Sequence, residues 1–288
     1  MAIWNLGSIN ADFIYTVPHL PAAGETLTSS GRQVFLGGKG ANMSVAAARA
    51  AGRVHHIGAV GPDGRWAVER LMEYGVITSD IAEIETETAQ AIIAVDEQGE
   101  NSIILHPGAN AEIPTEAMKQ ALSRAETGDW FVCQNETNQQ AEAVTLAKAM
   151  GLKVAYAAAP FDVDAVDAVL TSLDFLILNE VEMAQLSAAW GIGPEALDVE
   201  TIIVTKGSKG CSVFDHNGEH SIPAIPVDPV DTTGAGDTFT GYVLASLDRG
   251  LPLLQAVDLA TRAGALMVTR HGTADVIPDL SEVQAFRP

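Results

Sequence analysis

Basic residues are scarce in this chain: 16 Lys and Arg face 37 Asp and Glu across 288 residues, a formal net charge of −21. A surface this acidic repels nucleic-acid phosphates and anionic membranes, so neither is expected as a partner. Cysteine is nearly absent. Cys133 and Cys211 are too few for a disulfide framework and lack the local spacing of a metal site, which leaves two buried free thiols as the expectation. Long hydrophobic runs are missing as well. Hydrophobic residues reach 47% and mean hydropathy is +0.16, yet no stretch approaches the length of a membrane span. The opening Met1-Ala2-Ile3-Trp4-Asn5 has no basic region of a secretory signal, so a cytoplasmic protein is expected. No repeat, low-complexity tract or linker divides the chain.

Short apolar runs recur at Ile3 to Leu6, Val54 to Val60, Trp130 to Cys133, Val154 to Ala157, Phe175 to Leu178 and Ile202 to Val204. Segments of helical spacing separate several of them, such as Pro114 to Ala125 and Gln139 to Met150. This alternation predicts an α/β fold: a three-layer, doubly wound, mainly parallel sheet with helices on both faces. Two regions break the pattern. Phe13 to Val17 with Arg32 to Leu36, and Gln90 to Val95 with Ser102 to Leu105, read as antiparallel strands. The expected organisation is one unit over 1–288, with a small β-sheet contributed by segments within about 12–36 and 89–106.

The most informative stretch is Asp231-Thr232-Thr233-Gly234-Ala235-Gly236-Asp237-Thr238-Phe239, a glycine-rich turn leading into a helical run from Thr238 to Leu247. Unpaired N–H groups at a helix start favour an anion, and a carboxylate there can stay ionised near neutral pH. An anion cradle with Asp237 beside it suits transfer of a phosphoryl group to a hydroxyl. A plain turn with aspartate as helix cap accounts for the stretch as well. The second segment, Gly37-Gly38-Lys39-Gly40-Ala41-Asn42, opens an Ala-rich helix that ends at Gly52. It is not a P-loop, because Gln33 and Gly40 stand where Gly and Ser or Thr belong. Nor is it a dinucleotide fingerprint, since Met43 replaces the third glycine, which disfavours a dinucleotide-dependent oxidoreductase. An ammonium and an amide at a helix start suit a polyhydroxy ligand or a phosphate.

In this order and nearly two hundred residues apart, the two segments resemble the hallmark motifs of the ribokinase-like (PfkB) carbohydrate kinases. Gly7-Ser8-Ile9-Asn10-Ala11-Asp12, Pro21-Ala22-Ala23-Gly24-Glu25-Thr26, His106-Pro107-Gly108-Ala109-Asn110, Asn179-Glu180-Val181-Glu182 and Thr205-Lys206-Gly207-Ser208-Lys209-Gly210 also fall in family order, so the likeness covers essentially the whole chain. The resemblance implies an ATP-dependent sugar kinase with Mg²⁺ and K⁺ as cofactors, D-ribose foremost among acceptors, and a small β-sheet lid over the sugar through which two copies could pair. Asn10, Asp12, Gly38, Lys39, Asn42 and Glu136 would bind the sugar. Asp237 would be the base, and the N–H groups of Gly234, Ala235 and Gly236 the anion hole. Asn179, Thr205, Lys206, Gly207, Ser208 and Gly210 would meet the nucleotide, and Glu182 would order Mg²⁺ through water. A solvated helix start explains Asn179 and Glu182 equally well. Asp231, Thr233, Met267, Arg270 and Gly272 would surround a monovalent cation.

Three positions depart from the family pattern. Ala157-Ala158-Ala159-Pro160 replaces an Asn-Pro-Ala-Pro turn, Leu186 to Thr201 is shortened, and Val276 stands where a hydroxyl is usual near the cation. Two other functions remain open: a kinase of this fold for fructose, a sugar acid or a nucleoside, and a non-catalytic sugar or nucleotide sensor. The intact Asp237 and its Gly-Ala-Gly turn argue against the sensor, which has no need of a base. His55, His56 and the other histidines lack metal-ligand spacing.

Overall fold

A computed structural model describes residues 1–287. Its strands are β1 (Ile3–Leu6), β2 (Asn10–Thr16), β3 (Gly31–Gly37), β4 (Val54–Val60), β5 (Ile81–Glu83), β6 (Ala89–Val95), β7 (Asn101–His106), β8 (Trp130–Gln134), β9 (Lys153–Ala157), β10 (Phe175–Asn179), β11 (Thr201–Thr205), β12 (Cys211–Asp215) and β13 (Gly218–Ile222). The helices are α1 (Lys39–Arg49), α2 (Arg65–Glu73), α3 (Thr115–Leu122), α4 (Gln140–Ala149), α5 (Val163–Val169), α6 (Glu180–Trp190), α7 (Ala235–Asp248), α8 (Leu253–Met267) and α9 (Leu280–Ala285).

Nine strands form the main sheet in the order β13-β12-β11-β10-β9-β8-β1-β4-β5. Every pairing from β11 across to β5 is parallel. Alternate residues of one strand serve two different cores, as a sheet covered on both faces requires. Trp130 and Val132 of β8 join a core with α1, α7 and α8, while Phe131 and Cys133 join another with α3 and α4. Cys133 and Cys211 are both buried and free, as expected.

The mainly parallel sheet and its helical layers agree with the sequence reading. The hairpin β12–β13 was not anticipated. It adds two antiparallel strands at one edge, turning through His216 and Asn217, and the Asn217-Gly218 dipeptide is the signal for it. The second sheet has four strands in the order β3-β2-β6-β7. Its two hairpin-like pairs are antiparallel as read, but β2 and β6 join them in parallel.

Helices α1 and α7 are in direct contact, and small residues set how close they come. A Cβ on Gly241 would lie 2.5 Å from the Met43 carbonyl oxygen and 2.6 Å from the Ala46 Cβ, so only glycine fits there. This close approach puts the N-terminal end of α1 beside the N-terminal end of α7.

Candidate active site

Helix α7 begins at Ala235, three residues earlier than its sequence suggests, so Ala235 and Gly236 form its first turn rather than a loop before it. Gly234 is the residue that allows this: its φ of 75° is left-handed, a conformation glycine adopts without strain. The amides of that first turn lack intrahelical acceptors and carry the positive end of the helix dipole.

Asp237 lies in this turn and is only 8% exposed. Its Oδ2 accepts a 2.9 Å hydrogen bond from Asn42 Nδ2 on α1. Burial pushes its carboxyl up to about 6, against the opposing pull of the Lys39 ammonium and the Asn42 amide. The group is thus largely ionised at neutral pH yet able to take a proton, which is what a general base needs.

Asn10 and Asp12 both lie on β2, in the smaller sheet. Asp12 is buried, and its Oδ1 has no hydrogen-bond partner. Burial, then the negative charge of Glu136, push its carboxyl up to about 7. An unpaired buried carboxylate oxygen is costly to a fold, and this one is free to accept from a ligand donor. Glu136 Oε2 accepts from the Ser8 hydroxyl at 2.5 Å and from the Lys39 amide at 3.1 Å. The Lys39 ammonium sits 3.9 Å from the other oxygen of Glu136. Burial pulls the Lys39 ammonium toward deprotonation, but Asp237, Glu136, Glu182 and Asp12 together hold it above its ordinary value.

Two contributors escaped the sequence reading. Ser8 holds Glu136 and also accepts from the Gly40 amide at 3.2 Å. Asn110 donates to Asn10 Oδ1 at 2.8 Å and accepts from the Ile9 amide at 3.0 Å. Both fall inside the quoted motifs, but nothing local assigns them a task. Beside them opens a cavity of about 360 Å³ whose walls include Asn10, Asn110, Glu136 and Thr137. Beneath α1, Asn5 donates to Gly40 O and Ser44 Oγ, each at 2.8 Å. Ser44 meets His56 Nδ1 at 2.8 Å, while His56 Nε2 donates to Gly7 O at 3.0 Å. Burial pushes His56 down to about 4, so it works here as a neutral strut.

Farther along the sheet, Asn179 and Glu182 form a reciprocal cap on α6. Asn179 Oδ1 accepts from the Val181 and Glu182 amides, each at 2.9 Å, and Glu182 Oε2 accepts from the Asn179 amide at 2.7 Å. Thr205 ends β11, and Gly207, Ser208 and Lys209 form a single tight turn before Gly210. The Lys206 ammonium donates to Ser212 Oγ at 2.6 Å, on the β12–β13 hairpin.

Asp231 accepts amides on both carboxylate oxygens, Thr233 N at 2.9 Å and Gly272 N at 3.2 Å. Met267 Sδ accepts from the Thr238 hydroxyl at 2.7 Å, so the end of α8 rests on the anion turn. The Arg270 side chain bonds Val276 O at 3.2 Å and Glu282 at 2.7 Å.

A model of the pfkB family of carbohydrate kinases matches residues 3–280. A ribokinase of Haemophilus influenzae is 33% identical, over 98% of this chain and 96% of its own. The structure of an Arabidopsis thaliana ribokinase complexed with ribose and ATP superposes with a TM-score of 0.86 at 27% identity, covering 99% of this chain and 98% of that one. A deoxyribokinase of Salmonella typhi is 29% identical over 99% of this chain and 98% of its own.

Proposed function

This chain belongs to the pfkB family and is a carbohydrate kinase, and on that premise we propose that it phosphorylates the primary hydroxyl of D-ribose with ATP, giving ribose 5-phosphate and ADP. The single observation that carries the reading is Asp237: buried, ionisable near neutrality, bonded to Asn42 and set in the open first turn of α7. The ribose hydroxyl gives its proton to the Asp237 carboxylate as its oxygen bonds to the γ-phosphorus. The bond from that phosphorus to the β–γ bridging oxygen breaks, and ADP leaves. The amides of Gly234, Ala235 and Gly236 receive the charge that builds on the phosphoryl oxygens.

On the acceptor side, Asp12 takes a pair of neighbouring sugar hydroxyls, with Oδ1 unpaired for the purpose. Asn10, Gly38, Lys39, Asn42 and Glu136 complete the cradle. The ribokinase relatives support a pentose; the deoxyribokinase relative makes 2-deoxyribose, which lacks one of those hydroxyls, the nearest rival.

The nucleotide lies along Asn179 and the Thr205 to Gly210 turn, including Gly207 and Ser208. Lys206 contributes its backbone, since its ammonium is held by Ser212. Among the described residues no three His, Cys, Asp or Glu side chains cluster to hold a metal. Mg²⁺ would be held mainly by water and the nucleotide, with Glu182, whose Oε2 accepts from the Asn179 amide, ordering one of those waters; it would supply positive charge to the phosphates. Asp231, Thr233, Met267, Arg270 and Gly272 would hold a monovalent cation; the Asp231 side chain would supply charge while fixing the loop. No described helix is long and apolar enough to cross a membrane, and the reaction belongs in the cytoplasm, where ATP is. The smaller sheet acts as a lid, and the exposed Ile92, Ile103, Ile104 and Leu105 on β6 and β7 support pairing of two copies across it.

The deciding experiment is ADP release with Mg-ATP over ribose, 2-deoxyribose, fructose, sugar acids and inosine. Ribose is expected to give the highest kcat/KM. Preference for another acceptor moves the assignment within the family, and no release with any acceptor leaves the sensor.

A further inference from the structure

The anion turn and the sugar-binding segment meet directly at Asn42 and Asp237, but a second connection runs around the opposite side through the chain's last quarter. The Asp231 carboxylate holds the Gly272 amide at 3.2 Å, and through its other oxygen the Thr233 amide, the residue before Gly234. The next residue, Thr273, is buried, and its hydroxyl donates to the Leu36 carbonyl at 3.0 Å. Leu36 lies on β3, where its neighbours Phe35 and Gly37 stand opposite Asp12 and Asn10 of β2. Gly37 then runs straight into Gly38 and Lys39. A continuous path of two hydrogen bonds and short covalent segments thus leads from the first turn of α7 to the strand pair that carries the acceptor groups.

The segment after Thr273 is itself anchored to the helices on either side of the site. Arg49 of α1 donates to Ile277 O, and Tyr242 of α7 donates to Pro278 O at 2.7 Å. The piece of chain from Gly272 to Pro278 is therefore held at both ends and along its length, and the Thr273 hydroxyl is the group that reaches the smaller sheet.

We infer that Thr273 is a positioning residue for phosphoryl transfer: its hydroxyl ties the lid strand to the anion turn, so that the acceptor held by β2 and β3 is kept in register with Asp237. This rests on the kinase reading above. Thr273 touches neither acceptor nor nucleotide. Its loss acts on alignment, and misplacement of reacting groups by a fraction of an ångström to an ångström costs roughly ten- to a hundredfold in rate.

The test is Thr273→Val, which keeps the shape and removes the donor. We expect kcat to fall about tenfold or more, the acceptor KM to change less than about threefold, and Thr273→Ser to restore both. A second readout needs no activity. Hydrogen exchange over residues 31–38 of the free protein should quicken in Asp231→Asn, and Asp231→Asn should add nothing there once Thr273 is Val, because the path is already cut. Unchanged kcat in Thr273→Val, even with a lowered Tm, overturns the proposal. So does exchange at 31–38 that ignores Asp231→Asn, or effects of the two substitutions that simply add. Should Thr273→Val not fold, Thr273→Ser against Thr273→Ala makes the same distinction. If the wild-type protein releases no ADP with any acceptor, the functional reading falls, and the exchange experiment still decides whether the path exists.

Discussion

Asn42 Nδ2 and Asp237 Oδ2 are 2.9 Å apart although 195 residues separate them in the chain. The bond stabilises the charged form of the carboxyl and so opposes the upward push of burial. Asp237→Asn should lose about 10²- to 10⁴-fold in turnover, with acceptor affinity kept within about tenfold. Asn42→Leu should move the acid limb of the kcat profile to higher pH, because Asp237 then holds its proton above about 6. Steady-state kinetics from pH 5.5 to 9 checks both; near-wild-type turnover in Asp237→Asn removes it as the base.

Asp12 and Asp237 also set a pH dependence of stability. Their carboxyls are pushed up to about 7 and about 6, so the folded protein binds these protons more tightly than the unfolded chain does. Their contribution is favourable at low pH and is lost as pH rises through about 6 to 7. Asp12→Asn should therefore melt several degrees higher than wild type at pH 8, on the order of 2 kcal/mol, and the gain should shrink toward pH 4. Thermal melts without ligand at the two pH values test this; a gain that grows on acidification contradicts it.

On the proposed function, acceptor choice should turn on the unpaired oxygen of Asp12. Asp12→Ala should weaken ribose binding by a few kcal/mol, roughly a hundredfold or more, because the hydroxyls it takes are left without an acceptor. Wild-type protein should prefer ribose to 2-deoxyribose. Equal kcat/KM for the two sugars separates the site from this assignment.

Potassium should stimulate turnover by ordering the anion turn, with weak affinity. Val276 offers no hydroxyl, and its carbonyl is already engaged by Arg270. Activity is titrated with KCl against a bulky organic cation at matched ionic strength. A flat response takes the cation out of the mechanism and leaves the argument for Asp237 untouched.

Pairing through the smaller sheet is expected to depend on β7, where Ile104 is 66% exposed. Ile104→Lys should shift a dimer to monomer in sedimentation while leaving the fold intact. A wild-type protein that sediments as a monomer at micromolar concentration excludes this surface.

What the sequence determined by itself is local chemistry. Apolar runs such as Phe175 to Leu178 specify strands buried on both faces, because every side chain there must leave water. Gly234 and Gly236 are legible as demands for backbone freedom, and the spacing of charged and amide groups around them carries the family likeness. The β12–β13 hairpin, too, has its local signal in Asn217-Gly218. Tertiary structure alone decided which groups meet and how dry they are. Only in the fold is Asp12 a buried carboxylate with an oxygen unpaired, Glu136 bound to Ser8, Asn10 bound to Asn110, and Lys206 drawn aside by Ser212. Proton affinity follows the water excluded and the charges nearby, and both depend on neighbours far along the chain, which no local pattern encodes.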